Sequence, residues 1–319
     1  MARGQANAHQ RQLIHSSAWV GVDNVVASDV KTSRKLLDSG PFSYCDVQDK
    51  DNMARIILEN GITHVVHFAT LLSGAARPAS TAAQPAANVL DLAAAHGLSV
   101  YAPSTIAVFG STTPRHNTPD DTLMRPATMY GITKASSGRA GAESVVAAGV
   151  HQELLGQYYH DRYGVDYRSL RYPGIVSANA PPGGGTTDYA VEIFSAALQT
   201  GHYNCFLDSD AALPMMYMPD CLEATWQVIT APKDHMKQTT YNVTAVSFTP
   251  AELAGAIRRR LPHFSISYSP DFRDNIAKTW PASIDDSAAR RQWGWAPNFD
   301  LQALADDMLR RLAFSCDLM

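Results

Sequence analysis

Residues 86–104 read AANVLDLAAAHGLSVYAPS, and this stretch places a helix directly before a strand. The apolar residues of the helix recur at helical spacing, as Val89, Leu90, Leu92 and Ala93. Gly97 is a typical helix stop, and the apolar run over 98–104 predicts a buried strand. A helix that leads straight into a buried strand is typical of a parallel sheet covered by helices.

The same alternation recurs along the first half of the chain. Further buried strands are predicted over 24–28, 63–69 and 166–176. Helices are predicted over 49–61, where Asp49 is the cap, and over 151–164. After residue 176 the pattern loosens into glycine, proline and threonine loops with short helices.

We therefore expect an α/β fold with a doubly wound, Rossmann-like parallel sheet. Residues 24–176 are predicted to form the dinucleotide-binding domain, with an insertion over 135–150. Residues 177–319 are predicted to form a smaller substrate-binding lobe, and residues 1–23 an atypical N-terminal segment.

Composition argues against several classes of partner. The formal net charge is −4, so the chain offers no basic field for nucleic acid. No apolar run reaches the length of a membrane span. The four cysteines are scattered without metal-ligand spacing, and we expect no metal site. The first 22 residues contain Arg3 and Arg11 but no acid, which predicts the mitochondrial matrix or the cytoplasm as the location.

Tyr130 and Lys134 are the strongest candidates for chemistry. They lie one helical turn apart, so their side chains project from one face. A nearby ammonium lowers the pKa of a phenol, which titrates near 10 when free. Such a pair can remove a proton from a substrate hydroxyl while hydride leaves the carbon.

Two further pieces fit this chemistry. In PSTIAVFG (103–110), Ser104 and Thr105 stand where a strand ends, so that a hydroxyl can bind the reacting oxygen. Asp29, followed by Val30, ends the strand NVVAS. An acid there accepts from the adenosine ribose and repels a 2′-phosphate, which predicts NAD rather than NADP.

These pieces occur in an order that resembles the extended short-chain dehydrogenase/reductase family, which includes NAD-dependent epimerases and dehydratases. The resemblance runs through SD (28–29), PFSYCDV (41–47), HFATLLS (67–73), PSTIAVFG, YGITK (130–134) and LRYPGIVSA (170–178). Four C-terminal stretches, 182–194, 213–225, 241–253 and 280–295, resemble the members that oxidise L-threonine to 2-amino-3-oxobutyrate with NAD.

The resemblance implies a role for each matching residue. Tyr130 would be the base, Lys134 its partner and a ribose ligand, and Thr105 and Ser104 would bind the substrate hydroxyl. The implied cofactor ligands also include Asp46 and Val47 at the adenine and Ile175 at the nicotinamide. The implied amino-acid pocket contains Ser73, Gly185, Thr186 and Trp280. Members of the family are commonly dimers, which predicts a homodimer.

The chain also departs from the family. Before Asn24 it shows no strand and no glycine-rich pyrophosphate loop, so two neighbouring strands are expected to keep unpaired edges. The small residues of 135–150 resemble an insertion behind Lys134, and Pro78 and Pro85 are expected to interrupt a helix. A misread gene and a genuine degenerate copy both explain these departures.

Two alternatives to a threonine-oxidising enzyme stay open. A nucleotide-sugar epimerase or dehydratase would share the tyrosine–lysine pair, although the 182–194 and 213–225 motifs argue against it. A catalytically inactive remnant, still able to pair with an intact subunit, is favoured by the missing glycine loop. NAD binding distinguishes the remnant from both enzymes, and substrate choice distinguishes the enzymes from each other.

Overall fold

The computed structural model describes residues 25–32, 40–68, 80–126 and 149–316. Tyr130, Lys134, Ser73 and most of the predicted insertion lie outside the described residues. The chain forms two compact units. The first comprises the described parts of Met1–Ser104 and Met129–Leu170 together with Pro232–Thr240, and the second the described parts of Thr105–Thr128, Arg171–Ala231 and Tyr241–Met319.

The first unit alternates strands and helices, as the sequence predicts. Its elements are β1 (Ala27–Asp29), β2 (Phe42–Tyr44), α1 (Lys50–Glu59), β3 (His64–Val66), α2 (Ser80–His96), β4 (Ser99–Tyr101), the two-residue β5 (Ser104–Thr105) that leads into the second unit, α3 (Gly149–Tyr163) and the first part of β6 (Asp166–Tyr172).

Three strand pairs of the first unit are parallel. β4 pairs with β3 on one side and with β6 on the other, and β1 pairs with β2. Within the described ranges, β1 and β3 each have one strand neighbour. Val66 at the end of β3 is 41% exposed, which is unusual for a strand in a parallel sheet.

Helices α1 and α2 cover one apolar core of the first unit. Asp49 caps α1 by accepting from the Asn52 amide at 2.9 Å, as predicted. The buried residues of the two helices are Met53, Ile56, Ile57, Val89, Leu90, Leu92 and Ala93, and they pack with Val100 and Tyr167 of the sheet. The predicted apolar stripe of 86–97 is therefore confirmed.

Pro85 does not interrupt α2, contrary to the sequence-based expectation. The helix runs from Ser80 to His96 with Pro85 inside it. Proline there removes one backbone hydrogen bond. The buried stripe that follows stabilises the helix by about 1.5–3 kcal/mol for each large apolar side chain, which outweighs that loss.

The second unit contains shorter sheets and most of the helices. Its elements are a 3₁₀ turn (Ile106–Val108), β7 (Gly174–Val176), α4 (Tyr189–Gln199), β8 (His202–Cys205), β9 (Leu213–Tyr217), α5 (Met218–Thr230), β10 (Thr240–Asn242, whose first residue belongs to the first unit), β11 (Val246–Phe248), α6 (Pro250–Arg258), β12 (Ser265–Tyr268), α7 (Phe272–Thr279), α8 (Ser287–Trp293) and α9 (Leu301–Cys316).

β9 lies at the centre of the larger sheet of the second unit. It pairs in parallel with β7 and antiparallel with β11, and β8 pairs separately with β12. Helices α4, α6 and α9 pack together over a core that includes fully buried Phe194, Leu213 and Leu304. Among the helices that the structure describes, none is long and apolar enough to cross a lipid bilayer.

Candidate functional site

The predicted adenosine ligands meet at one edge of the β1–β2 pair. The strands are parallel with Asp29 opposite Tyr44, so both chains leave the sheet at the same edge. The Cys45 amide donates to the Asp29 carbonyl at 3.1 Å, which joins the two strand ends. The Asp29 carboxylate accepts from the Lys31 amide at 3.1 Å. The structure therefore brings Asp29 and Val30 to the same edge as Asp46 and Val47.

A buried asparagine fixes the turn after β2. The Asp46 carboxylate accepts from the Gln48 amide at 2.9 Å, which closes the turn. Asn88 of α2 is 3% exposed, and its side-chain amide donates to the Val47 carbonyl at 3.0 Å. A turn held from both sides is a rigid support for a planar base.

Cys45 lies directly before this turn but is unsuited to thiolate chemistry. Burial raises the pKa of its thiol, and the charges of Asp46 and Asp49 raise it further against the opposing effect of Arg55. The neutral thiol is neither a metal ligand nor a nucleophile. Among the described residues, no cluster of histidine, cysteine or acidic side chains could hold a metal ion.

The two hydroxyls of β5 have different partners. Ser104 is buried, and its hydroxyl donates a short hydrogen bond to the carboxylate of Glu153 on α3. Thr105 is half-buried, and its hydroxyl oxygen accepts from the Ala107 amide at 3.3 Å, capping the 3₁₀ turn. Among the described residues, the Thr105 hydroxyl has no acceptor for its own hydrogen, so it can donate to a ligand.

Ile175 lies on the short strand β7 of the second unit. It stands opposite Met216, and the preceding pair is Gly174 opposite Met215. A Cβ at Gly174 would lie 2.3 Å from the Met215 sulfur and 2.7 Å from a Thr187 methyl carbon. Glycine at this position therefore lets the 182–194 motif approach β7 closely.

The glycine run of the second unit is an ordered loop around one carboxylate. Asp188 accepts from the Gly183 amide at 2.6 Å and from the Gly185 amide at 2.8 Å. Gly184 between them has a φ of +89°, which favours glycine. Thr186, the next residue, is buried. The predicted pocket residues Gly185 and Thr186 are thus held in a fixed turn.

Trp280 is buried and retains an unused donor. Its side chain is 9% exposed, and its indole nitrogen has no hydrogen-bond partner among the residues that the structure describes. Its backbone amide donates to the Ala277 carbonyl at 3.1 Å at the end of α7. A buried N–H without a partner costs free energy, so an acceptor on a bound ligand would stabilise this site.

Asp285 and Asp286 act as structural residues. Asp285 accepts from the Ser287 amide at 2.9 Å at the start of α8. Asp286 accepts from Arg290 at 2.7 Å and from the Trp295 indole at 3.0 Å. Both carboxylates are therefore occupied within the fold.

A family model decides the classification. The model for the NAD dependent epimerase/dehydratase family matches residues 6–244 of this chain. The chain belongs to this family. The match begins inside residues 1–23, the range that sequence analysis sets apart.

Three relatives of this epimerase/dehydratase-family chain are all threonine dehydrogenases. The mitochondrial L-threonine 3-dehydrogenase of Sus scrofa is 46% identical over 296 residues, covering 91% of this chain and 75% of the relative. A crystal structure of L-threonine dehydrogenase from Phytophthora infestans is 51% identical, has a TM-score of 0.86 and covers 97% of each chain. A monomeric L-threonine 3-dehydrogenase from a metagenome is 35% identical, with a TM-score of 0.82 and coverage of 98% and 97%. The Rossmann-like α/β fold expected from the sequence is confirmed.

Three supporting residues of this family member escaped sequence reasoning. Asn88 and Glu153 are single polar residues on buried helix faces, a signal that the apolar pattern around them conceals. Asp188 comes three residues after Gly185 and directly before α4. That position is typical of a helix cap and could have drawn attention to it. Each of the three supports a neighbouring candidate residue.

Proposed function

We propose that this chain is an NAD-dependent L-threonine 3-dehydrogenase that forms 2-amino-3-oxobutyrate in threonine catabolism. The observation that carries the proposal is the similarity, at about half identity and over nearly the whole chain, to threonine dehydrogenases. The geometry of each unit is compatible with this activity.

The first unit supplies the residues proposed for the cofactor. Asp29 would accept from the adenosine ribose, and Asp46 and Val47 would contact the adenine. The shared strand edge and the Asn88 bond to Val47 fit this use, because they fix the turn on which a planar base would rest. A carboxylate at Asp29 disfavours a 2′-phosphate, so NAD is the proposed cofactor.

The second unit supplies the residues proposed for the amino acid. Gly185, Thr186 and Trp280 would form the pocket, Ile175 would contact the nicotinamide, and Ser73 would complete the pocket from outside the described residues. The buried indole N–H of Trp280 suits an acceptor such as the threonine carboxylate.

The chemistry proposed for this chain is a proton transfer coupled to hydride loss. Tyr130, with its pKa lowered by Lys134, removes the proton from the threonine hydroxyl. Thr105 binds the reacting oxygen through the hydroxyl proton that its bond to Ala107 leaves available. When bound, NAD would supply the acceptor for the hydride that leaves the threonine Cβ. The carbon–oxygen bond becomes a carbonyl, and the products are 2-amino-3-oxobutyrate, NADH and a proton.

The decisive test is NADH formation from L-threonine by the purified 319-residue chain, with UDP-glucose as the competing substrate. Threonine-dependent NADH formation supports the proposal. Turnover of UDP-glucose alone would favour the nucleotide-sugar epimerase or dehydratase. A folded protein that binds NAD but converts neither substrate would contradict a threonine dehydrogenase, and one that binds no NAD would favour the inactive remnant.

The assembly and the location of the chain belong to the same proposal. We propose a homodimer, and light scattering at several concentrations tests it against the monomer found for the metagenome relative. The pig relative is mitochondrial. We propose the mitochondrial matrix or the cytoplasm for this chain, and a fluorescent fusion at the C-terminus distinguishes the two.

A further inference from the structure

Glu153 is an acid on a buried face of α3. Its side chain is 5% exposed, on the same face of the helix as Gly156. A buried carboxylate is costly unless hydrogen bonds satisfy it. The Ser104 hydroxyl supplies one of these bonds. The Tyr167 phenol is buried nearby. Burial raises its pKa, and the charge of Glu153 raises the pKa further.

A second set of contacts holds α3 against the segment that joins β4 to β5 and against β6. The Gln152 side-chain amide donates to the Pro103 carbonyl at 3.4 Å, and the Tyr167 hydroxyl donates to the Gln152 carbonyl at 3.3 Å. A Cβ on Gly156 would lie 2.2 Å from the Tyr167 ring, so glycine allows the helix to approach β6 closely. Consecutive residues of α3 thus contact consecutive residues at the strand end.

The Ser104–Glu153 hydrogen bond gives the two neighbouring hydroxyls, of Ser104 and Thr105, different roles. A serine hydroxyl has one hydrogen to donate, and Ser104 donates it in a hydrogen bond to the Glu153 carboxylate. Thr105 accepts from Ala107 and retains its own proton. Sequence analysis assigned both hydroxyls to the substrate. They differ in one property: the Ser104 hydrogen is already donated to Glu153, whereas the Thr105 hydrogen has no acceptor among the described residues.

We propose that Glu153 and Ser104 are positioning residues for Thr105. By accepting a hydrogen bond from Ser104, Glu153 fixes the backbone of β5, from which Thr105 presents its hydroxyl. This inference rests on the proposed function, since it concerns the oxygen that reacts in threonine oxidation. It deepens that proposal by separating the hydroxyl that contacts substrate from the hydroxyl that holds it in place.

The test compares side chains of similar size at one position. Glu153→Gln keeps an oxygen that can accept from Ser104, whereas Glu153→Met fills a similar volume without an acceptor. Ser104→Ala removes the donor, and the double variant Ser104→Ala/Glu153→Met removes both. Leu154→Ala is the matched control, because Leu154 is adjacent on α3 and 55% exposed. Each variant is assayed for kcat and for the KM of NAD and L-threonine, and its unfolding midpoint is recorded.

We expect Glu153→Met and Ser104→Ala each to lower kcat about 10- to 100-fold, because small displacements of a reacting group are costly. Glu153→Gln is expected to stay within about threefold of the wild type, and the double variant within about threefold of the weaker single variant. The KM of NAD is expected to change little in all of them. A double variant whose loss is the product of the two single losses would overturn the inference, as would a Ser104→Ala variant with full kcat.

Hydrogen exchange separates this inference from the proposed function. If the wild type converts no L-threonine, the proposed function fails, but the amides of Ala107 and Phe109 still report the order of the Thr105 turn. We expect their exchange to be about tenfold faster in Ser104→Ala than in the wild type, and near the wild-type rate in Glu153→Gln. Equal exchange in the wild type and in Ser104→Ala would overturn the positioning role. This readout also decides the matter if Glu153→Met fails to fold.

Discussion

Among the described residues, the second unit buries more acidic side chains than the first. In the first unit, Asp91 is half-exposed and pairs with Lys50 at 2.7 Å and with the Tyr159 hydroxyl at 2.5 Å. In the second unit, Asp220 is fully buried and accepts from the backbone amides of Asn298 at 2.8 Å and Phe299 at 3.1 Å. The first arrangement joins helix surfaces, whereas the second holds the chain path inside a core.

This difference indicates which unit depends more on buried polar groups for its fold. The second unit buries several polar clusters, and Asn242 is a further example, since its side chain donates to the Thr118 carbonyl at 3.0 Å and accepts from Arg171 at 3.2 Å. Asp220 and Asn242 lie in two of the long C-terminal motifs, 213–225 and 241–253. Buried polar groups tolerate few substitutions because an unpaired partner is costly. In the described part of the first unit fewer polar side chains are buried, and Glu153 is the one buried carboxylate.

The largest effect that we predict concerns chemistry and leaves both units intact. Tyr130→Phe removes the proposed base, so kcat for L-threonine oxidation is expected to fall about 10²- to 10⁴-fold. NAD binding by calorimetry and the unfolding midpoint are expected to match the wild type. Tyr158→Phe, at a tyrosine of α3 that is 53% exposed, is the control and is expected to keep full activity. Substantial turnover by Tyr130→Phe would refute the assigned base.

Removing one acid from each unit tests the comparison directly. Asp220→Ala leaves the amides of Asn298 and Phe299 without acceptors in a buried site, and we expect a loss of about 3 kcal/mol in the free energy of unfolding. Asp91→Ala removes a half-exposed ion pair and should cost at most about 1 kcal/mol. Chemical denaturation measures both. Equal losses would break the contrast between the units.

Asp29 in the first unit and Trp280 in the second unit are proposed to bind different ligands, so their variants should affect the binding of different ligands. Asp29→Ala is expected to weaken NAD binding about 10- to 100-fold, because a charged hydrogen-bond acceptor is lost, while the KM of L-threonine changes little. Trp280→Phe removes the buried indole N–H and keeps an aromatic ring, so we expect a roughly tenfold higher KM for L-threonine with unchanged NAD binding. Calorimetry and steady-state kinetics measure the two. A variant that alters both ligands equally would contradict the division.

The smallest predicted effect depends on pH and belongs to the surface of the second unit. Hydrogen bonds from Arg260 lower the pKa of Asp306 to about 2. The contribution of this pair is therefore fully present above about pH 4, the pKa of an unfolded aspartate, and is lost as pH falls toward 2. Asp306→Asn should lower the melting temperature by at most about 2 °C near neutral pH, since the pair is exposed. The difference between variant and wild type should disappear near pH 2, and a constant difference would contradict the assignment.

Much of the fold could be predicted because local patterns determine it. The stripe from Val89 to Ala93 and the cap at Asp49 depend on neighbours in sequence, and the structure confirms both. Pro85 shows the limit of such reasoning, because packing further along α2 outweighs a local helix-breaking preference. Strand ends were less accurate, since β1 occupies Ala27–Asp29 rather than 24–28.

The candidate site could be predicted only for residues that lie in recognisable motifs. Asp46, Gly185 and Trp280 carry such signals, and their roles as ligands stay predictions. Asn88 and Glu153 could not be found, because their partners Val47 and Ser104 are about 40 to 50 residues away in sequence and only the tertiary fold brings them together. The same holds for the division between Ser104 and Thr105, which follows from a helix that sequence analysis placed but could not orient.

Calorimetric titration of NAD into the purified 319-residue chain is the most direct test of whether this chain uses NAD. We expect saturable binding by the folded wild type, weaker binding by Asp29→Ala and unchanged binding by Trp280→Phe. Absence of binding heat from a folded wild-type protein would contradict the claim that this chain is an NAD-dependent enzyme.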